Sequence, residues 1–197
     1  MTKINKPAET SASLNPLIAN RFSPRIHDAN HVLTGSEIES LGEAFRWAPS
    51  SMNQQPWKLI LATRGSELFN QISERGLTGF NQTWAPKTSA YAVVLARQTE
   101  DGKPRDKAAT YFDLGLASQQ LAIQAEHMGL RAHYMGGILH EEIAKIVGAT
   151  DHWVVVVITI GLQGELEGNE EAIIERETAV RTRKPSVEIY QVDTPLA

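Results

Sequence analysis

The chain has 197 residues, 42% of them hydrophobic and 21% charged, the composition of a globular protein with a sizeable core rather than of a disordered one. Its 19 basic and 23 acidic side chains leave a formal charge of -4, so no general field draws it to nucleic acid or to an acidic membrane, and any basic site must be local. It contains no cysteine, which excludes disulfides, thiolate metal sites and cysteine catalysis and is compatible with a reducing, cytoplasmic setting.

Residues 1–15 are polar and aperiodic and read as a flexible N-terminal arm, without the apolar stretch and cleavage site of a signal peptide. Order is expected from Pro16 onward. Thr34 followed by Glu37 is a capping box, and Ile38, Leu41 and Phe45 then recur at helical spacing until Pro49 stops the helix. Residues 57–62 read as a strand, 66–75 as a helix, 76–87 as a loop carrying Asn81 and Trp84, and 89–97 as a second strand. A short turn at 98–106 precedes a long helix, 107–128, ended by Gly129. Leu114, Ala117, Leu121 and Met128 form one apolar seam of this helix, while Phe112, Leu116 and Ile123 lie on other faces; burial on a second side, against a partner subunit, is the expectation. Residues 131–135 read as a strand, Gly136 and Gly137 as a turn, and 141–147 as a short helix. The run 152–161 is apolar without alternation, as in a strand covered on both faces, and it is far too short to span a membrane. A helix at 170–179, a basic cluster and an extended tail at 186–192 complete the chain.

The candidate functional stretch is 48–57, APSSMNQQPW, where Pro49 and Pro56 bracket Ser50, Ser51, Asn53, Gln54 and Gln55 in a rigid polar cradle. By themselves such residues most often make a surface turn. Likewise, a late basic cluster is ordinarily a solvated helix end, and a glycine pair an ordinary turn. Ser51 lacks the glycine-flanked elbow of a hydrolase nucleophile, and His27, His31, His127, His133, His140 and His152 show no zinc-ligand spacing, so no metal is expected.

Four motifs stand in a fixed order: RFSPR at 21–25, PSSMNQQPW at 49–57, Gly136 with Gly137, and RTRK at 181–184. Together they resemble the nitroreductase family of FMN-dependent oxidoreductases, over about residues 21–185. The resemblance implies an α+β sandwich, a mostly antiparallel sheet surrounded by helices, built from a single domain at 16–197 and assembled as an intertwined homodimer. It implies FMN as cofactor and NADH or NADPH as reductant. Arg21, Arg181 and Arg183 would hold the phosphate, and Arg25 would face the flavin edge that carries negative charge on reduction. Gly136 and Gly137 would present a backbone N–H to flavin N5, and Asn81 would reach the ring. Ser50, Ser51 and Asn53 would serve the FMN of the opposite subunit. Phe22, Ser23, Pro49 and Met135 belong to the same motifs and are taken as cofactor-binding positions with them. The implied reaction is a ping-pong reduction of a nitroaromatic, a quinone or a related small acceptor, with no side chain required as general acid or base. A flavin-dependent dehydrogenase or dehalogenase of the same superfamily and a non-catalytic flavin-binding or delivery protein are the alternatives. The 98–106 turn is short where some members insert a lid, which leaves the acceptor undetermined.

Overall fold

Alternation along one buried strand sets the architecture. In a computed structural model describing residues 4–193 and 195, the elements run α1 (Pro16–Asn20), α2 (Gly35–Arg46), β1 (Trp57–Thr63), α3 (Glu67–Gln71), α4 (Asn81–Trp84), β2 (Ala90–Arg97), β3 (Thr99–Glu100), β4 (Lys103–Pro104), α5 (Lys107–His127), β5 (Leu130–Met135), α6 (His140–Val147), β6 (His152–Leu162) and α7 (Glu171–Thr178). The main sheet has the order β1-β2-β6-β5, every pairing antiparallel. Along β2, Ala90, Ala92, Val94 and Ala96 pack with Leu41 and Phe45 of α2 and Leu114, Ala117 and Leu121 of α5. Tyr91, Val93 and Leu95 point the other way, into a second cluster with Phe69, Trp84 and Ile143. A strand whose successive side chains face opposite sides must be apolar at every position to satisfy both. The result is the α+β sandwich the sequence implies, with helices on both faces of an antiparallel sheet.

β6 has the same double burden with a fault in its register. Val94 pairs with Val156 but Leu95 with Val154, so Val155 is an extra residue and the strand changes parity there. Ile158 and Ile160 accordingly face the α2/α5 side, while Val157 and, across the bulge, Val154 face the other.

Local signals account for the helix limits. Thr34 Oγ1 accepts from Glu37 N at 3.2 Å and the Glu37 carboxylate accepts from Thr34 N at 2.7 Å, completing the capping box. Asp106 caps α5 by accepting from Ala109 N at 2.7 Å. Asp101 and Gly102, both at positive φ, make the tight turn of the β3–β4 hairpin where a plain turn was expected.

The structure departs from the sequence reading at several points. The expected helix at 66–75 is a single α-turn that widens into a π-turn at Ile72–Gly76, where buried Gly76 packs on Ile143. The expected loop at 76–87 holds α4 and a 3-10 turn, drawn inward by the fully buried Trp84. In the tail, Pro185 starts a 3-10 turn at Ser186–Glu188 instead of extended chain, closed by Glu188 N on Pro185 O at 3.0 Å. Among the described residues only one face of α5 is covered; Phe112 on the other is 68% exposed. Residues 1–3 of the arm and 194, 196 and 197 of the tail lie outside the described residues. Among the described residues no helix is long and apolar enough to cross a membrane.

Gly164 lies two residues beyond the end of β6, and a methyl group there would lie 2.7 Å from the His27 carbonyl oxygen. The neighbour is backbone and has little room to yield, so Gly164→Ala should lower stability by about 1–3 kcal/mol. Urea unfolding should show a lower midpoint with unchanged slope.

Candidate functional site

Residues 21–28 run along the end of β6 as a tethered strap. Asp28 N donates to Leu162 O at 2.9 Å, Gly164 N donates to Ile26 O at 3.1 Å, and His27 bridges to Gln163. The strap is anchored from below by aromatic packing: Trp84 lies against His133 at 4.6 Å between ring centroids and against His27 at 6.2 Å. His133 Nδ1–H donates to Pro24 O at 2.8 Å, which fixes its tautomer. Burial, reinforced by neighbouring cations, lowers the His27 pKa to about 3 and that of His133 to about 4, so both rings are neutral at physiological pH. Phe22 is buried with Lys6 and Arg131 each 5.2 Å from its centroid. From above, Glu177 of α7, 1% exposed, accepts from Arg25 N at 2.6 Å. Burial raises the Glu177 pKa even though the Arg25 N–H and Lys6 oppose the shift.

With the strap fixed, Arg21 lines a cleft of about 650 Å³ together with Arg181, Arg183 and Lys184. The three expected phosphate ligands are thus brought together from opposite ends of the chain. Among the described residues none of the three arginines forms an ion pair with a carboxylate. The Arg181 pKa is lowered, first by burial and then by the charges of Arg183 and Arg21. Glu126 acts on Arg181 in the opposite sense, as the last of these effects. Guanidinium groups gathered without a direct carboxylate partner, around a cleft of this size, have the donor chemistry of a phosphate site. Arg25 is half-buried; burial and then the neighbouring Arg176 lower its pKa, against the pull of Glu177. Ser23, beside it, is exposed.

Gly136 and Gly137 follow β5 directly. Asn81 Nδ2 and Thr78 N both donate to Gly137 O, at 3.0 and 3.1 Å, so the Asn81 amide braces the glycine turn. A side chain at Gly137 would lie 2.9 Å from that same nitrogen and would displace the Asn81 amide. Asn81 is the first residue of α4, not a loop residue, which gives its side chain a fixed origin. Met135 is 1% exposed with its side chain in the core, and Phe22 is likewise buried, so these two positions shape the site from beneath or through their backbone.

The hollow at the cradle shares no lining residue with the arginine cleft of its own chain. Pro49, Ser50 and Ser51 line a small hollow with Phe112 and Asp113 of α5. Met52, Asn53 and Gln55 all have positive φ, a conformation costing roughly 1 kcal/mol or more for a residue other than glycine. Among the contacts that hold it, Ser51 N donates to both Asp113 carboxylate oxygens at 3.3 Å, Gln55 N donates to Ser50 Oγ at 2.9 Å, and Arg105 Nη1 donates to Gln54 Oε1 at 2.9 Å. Met52 at its tip is 90% exposed.

Sequence reasoning passed over Asp113, Glu177 and Lys6. Asp113 had a readable signal, a lone acid on the apolar seam of α5 beside Leu114. Glu177 and Lys6 had none, because each acts on backbone more than 150 positions away.

A profile of the nitroreductase family matches residues 18–162. The oxygen-insensitive NADPH nitroreductase of Helicobacter acinonychis (strain Sheeba) is 28% identical over 119 residues, 60% of this chain and 55% of that protein. The protein of the same name from Helicobacter pylori (strain J99) is 30% identical over 88 residues, 45% of this chain and 40% of that protein. The matches thus span about half of these relatives' length or less. Among solved structures, an oxidoreductase containing FMN superposes with a TM-score of 0.87 at 29% identity, over 98% of each chain. A protein of nitroreductase type from Exiguobacterium sibiricum, solved in complex with FMN, gives 0.74 at 21% identity over 94% of this chain and 99% of that one, a likeness of fold.

The neutral imidazoles beneath the strap set a pH dependence. Unfolded, His27 and His133 take up protons near 6.5; folded, only at about 3 and 4. Between those limits the unfolded chain binds more protons, so stability falls as pH is lowered. Glu177, whose folded pKa is raised, opposes this with one proton against two. Urea midpoints should drop by a few kcal/mol equivalent from pH 7 to pH 4, and His133→Asn should be less stable at pH 7 but fall less steeply.

Proposed function

The chain belongs to the nitroreductase family, and from that premise we propose that it is an FMN-dependent oxidoreductase, taking electrons from NADH or NADPH and passing them to a small acceptor such as a nitroaromatic or a quinone. The observation that carries the reading is the cleft in which Arg21, Arg181 and Arg183 meet without carboxylate partners. In a protein of net charge -4 such a concentration of cations calls for an anion, and three guanidinium forks suit a phosphate monoester. Bound FMN supplies the hydride chemistry.

The chain's own residues then divide the remaining work. Arg21, Arg181 and Arg183 bind the phosphate. Arg25, held by Glu177 through its backbone, places a positive charge beside the ring edge that becomes negative on reduction. Gly136 and Gly137, braced by Asn81, offer backbone N–H groups where a side chain would obstruct a flat ring. The domain from Pro16 onward works as one FMN-binding unit. Its partner is a second copy of the chain: the strained cradle and the uncovered face of α5, with exposed Met52 and Phe112, are contiguous through Asp113 and suited to burial in a homodimer. Ser50, Ser51 and Asn53 would then reach the partner's FMN.

Two measurements test this. Arg21→Ala and Arg183→Ala should each weaken FMN by about tenfold or more while changing riboflavin little, since only FMN carries the phosphate. Equal losses for the two flavins would overturn the phosphate assignment. Inactive Asn53→Ala and Arg21→Ala chains should recover activity when mixed into heterodimers, because one of the two shared sites is then intact; a folded, FMN-loaded monomer in sedimentation would overturn the shared site.

A further inference from the structure

The cationic cleft has a wall that no motif accounts for. Ala8, Glu9 and Thr10 of the N-terminal arm line it together with the arginines. The arm has no regular structure over residues 4–15, yet it is fastened at defined points. Lys6 Nζ donates to Glu177 O at 2.7 Å and to Ala179 O at 2.8 Å, capping carbonyls that the end of α7 leaves without helical partners. The Lys6 carbonyl in turn accepts from Arg181 Nη1, which also donates to Ala19 O at 2.9 Å. Ala8 N donates to the same Ala19 carbonyl at 2.8 Å. A single residue therefore joins α7, the arm and one of the three cleft arginines.

Resting on the FMN reading above, we propose that residues 6–10 form part of the phosphate site and that Lys6 is the positioning residue that holds both this wall and Arg181 in place. An arm merely lying on the surface would not supply the acceptor that orients a cleft guanidinium. Arg181 is pushed away by Arg21 and Arg183, and the carbonyls of Lys6 and Ala19 hold it against that repulsion. Without the Lys6 ammonium the arm loses its tie to α7, and the main-chain carbonyl of residue 6 that accepts from Arg181 is no longer held in place. Glu9, exposed at the rim, brings a negative charge to the same cleft and works against an anion there.

The test compares FMN and riboflavin affinities, by flavin fluorescence quenching, in full-length single variants. Lys6→Ala should weaken FMN about tenfold, the loss of roughly one charge-assisted contact, with riboflavin within about twofold. Lys6→Arg, which can still reach two carbonyls, should restore most of the FMN affinity. Glu9→Gln should act in the opposite direction and tighten FMN about twofold, again without moving riboflavin. Glu9 is exposed, so this variant stays informative even if Lys6→Ala proves too unstable to purify. FMN affinities unchanged in both Lys6→Ala and Glu9→Gln, or parallel changes for the two flavins, would overturn the arm's role while leaving the cofactor reading intact. A wild-type chain that binds neither flavin would overturn both.

Discussion

Like charges held together without a direct ion-pair partner are the constraint on which the rest of the structure depends. Arg21, Arg181 and Arg183 raise one another's energy as long as the cleft holds no anion, and the scaffold must keep them there. The strap carrying Arg21 is therefore tied on every side: to the end of β6 by backbone bonds, to β5 through His133 and Pro24, and to α7 through Glu177. Beneath it His27, Trp84 and His133 form a buried aromatic layer with both imidazoles neutral, so the platform adds no further positive charge to the cations above. Preorganisation of this kind spends folding stability on affinity for a negatively charged ligand.

The cradle has a second form of the same economy. Three residues other than glycine in left-handed geometry are costly, and the helix beside them leaves Phe112 uncovered. Both costs fall on the isolated chain. Asp113 joins them, since its carboxylate, buried in α5, holds the backbone of the strained loop. A surface that covered Phe112 would also buttress the loop.

Much of the fold was legible in the sequence because its determinants are local. The Thr34 and Glu37 box, the Asp106 cap and the all-apolar run of β2 each specify an element from a handful of neighbouring residues. Fold and family followed from motif order. Features set by tertiary packing were not legible. The Val155 bulge exists because β6 must serve two clusters, and the α4 turn exists because Trp84 is drawn into the core. Pro185 redirected the tail through a turn. At the site, the arginines were readable as a cluster but Lys6 and Glu177 were not, since side chains acting on distant backbone leave no periodicity or spacing to find.

The order in which these parts come together has a consequence of its own. β1 and β2 meet across about thirty residues of chain, whereas Lys6 and α7 are separated by 171 positions. Contacts of such long range close late, after the loop entropy has been overcome by the rest of the structure. On the ribosome the sheet begins to pair while the cleft does not yet exist; it is completed only once Arg183 has emerged. The same seam is the part most able to open while the sheet stays folded. If the cleft is the phosphate site proposed above, loosening the seam between the arm and α7 would free the cofactor without unfolding of the sandwich, and the bonds made by Lys6 would matter more to its retention than the size of the core.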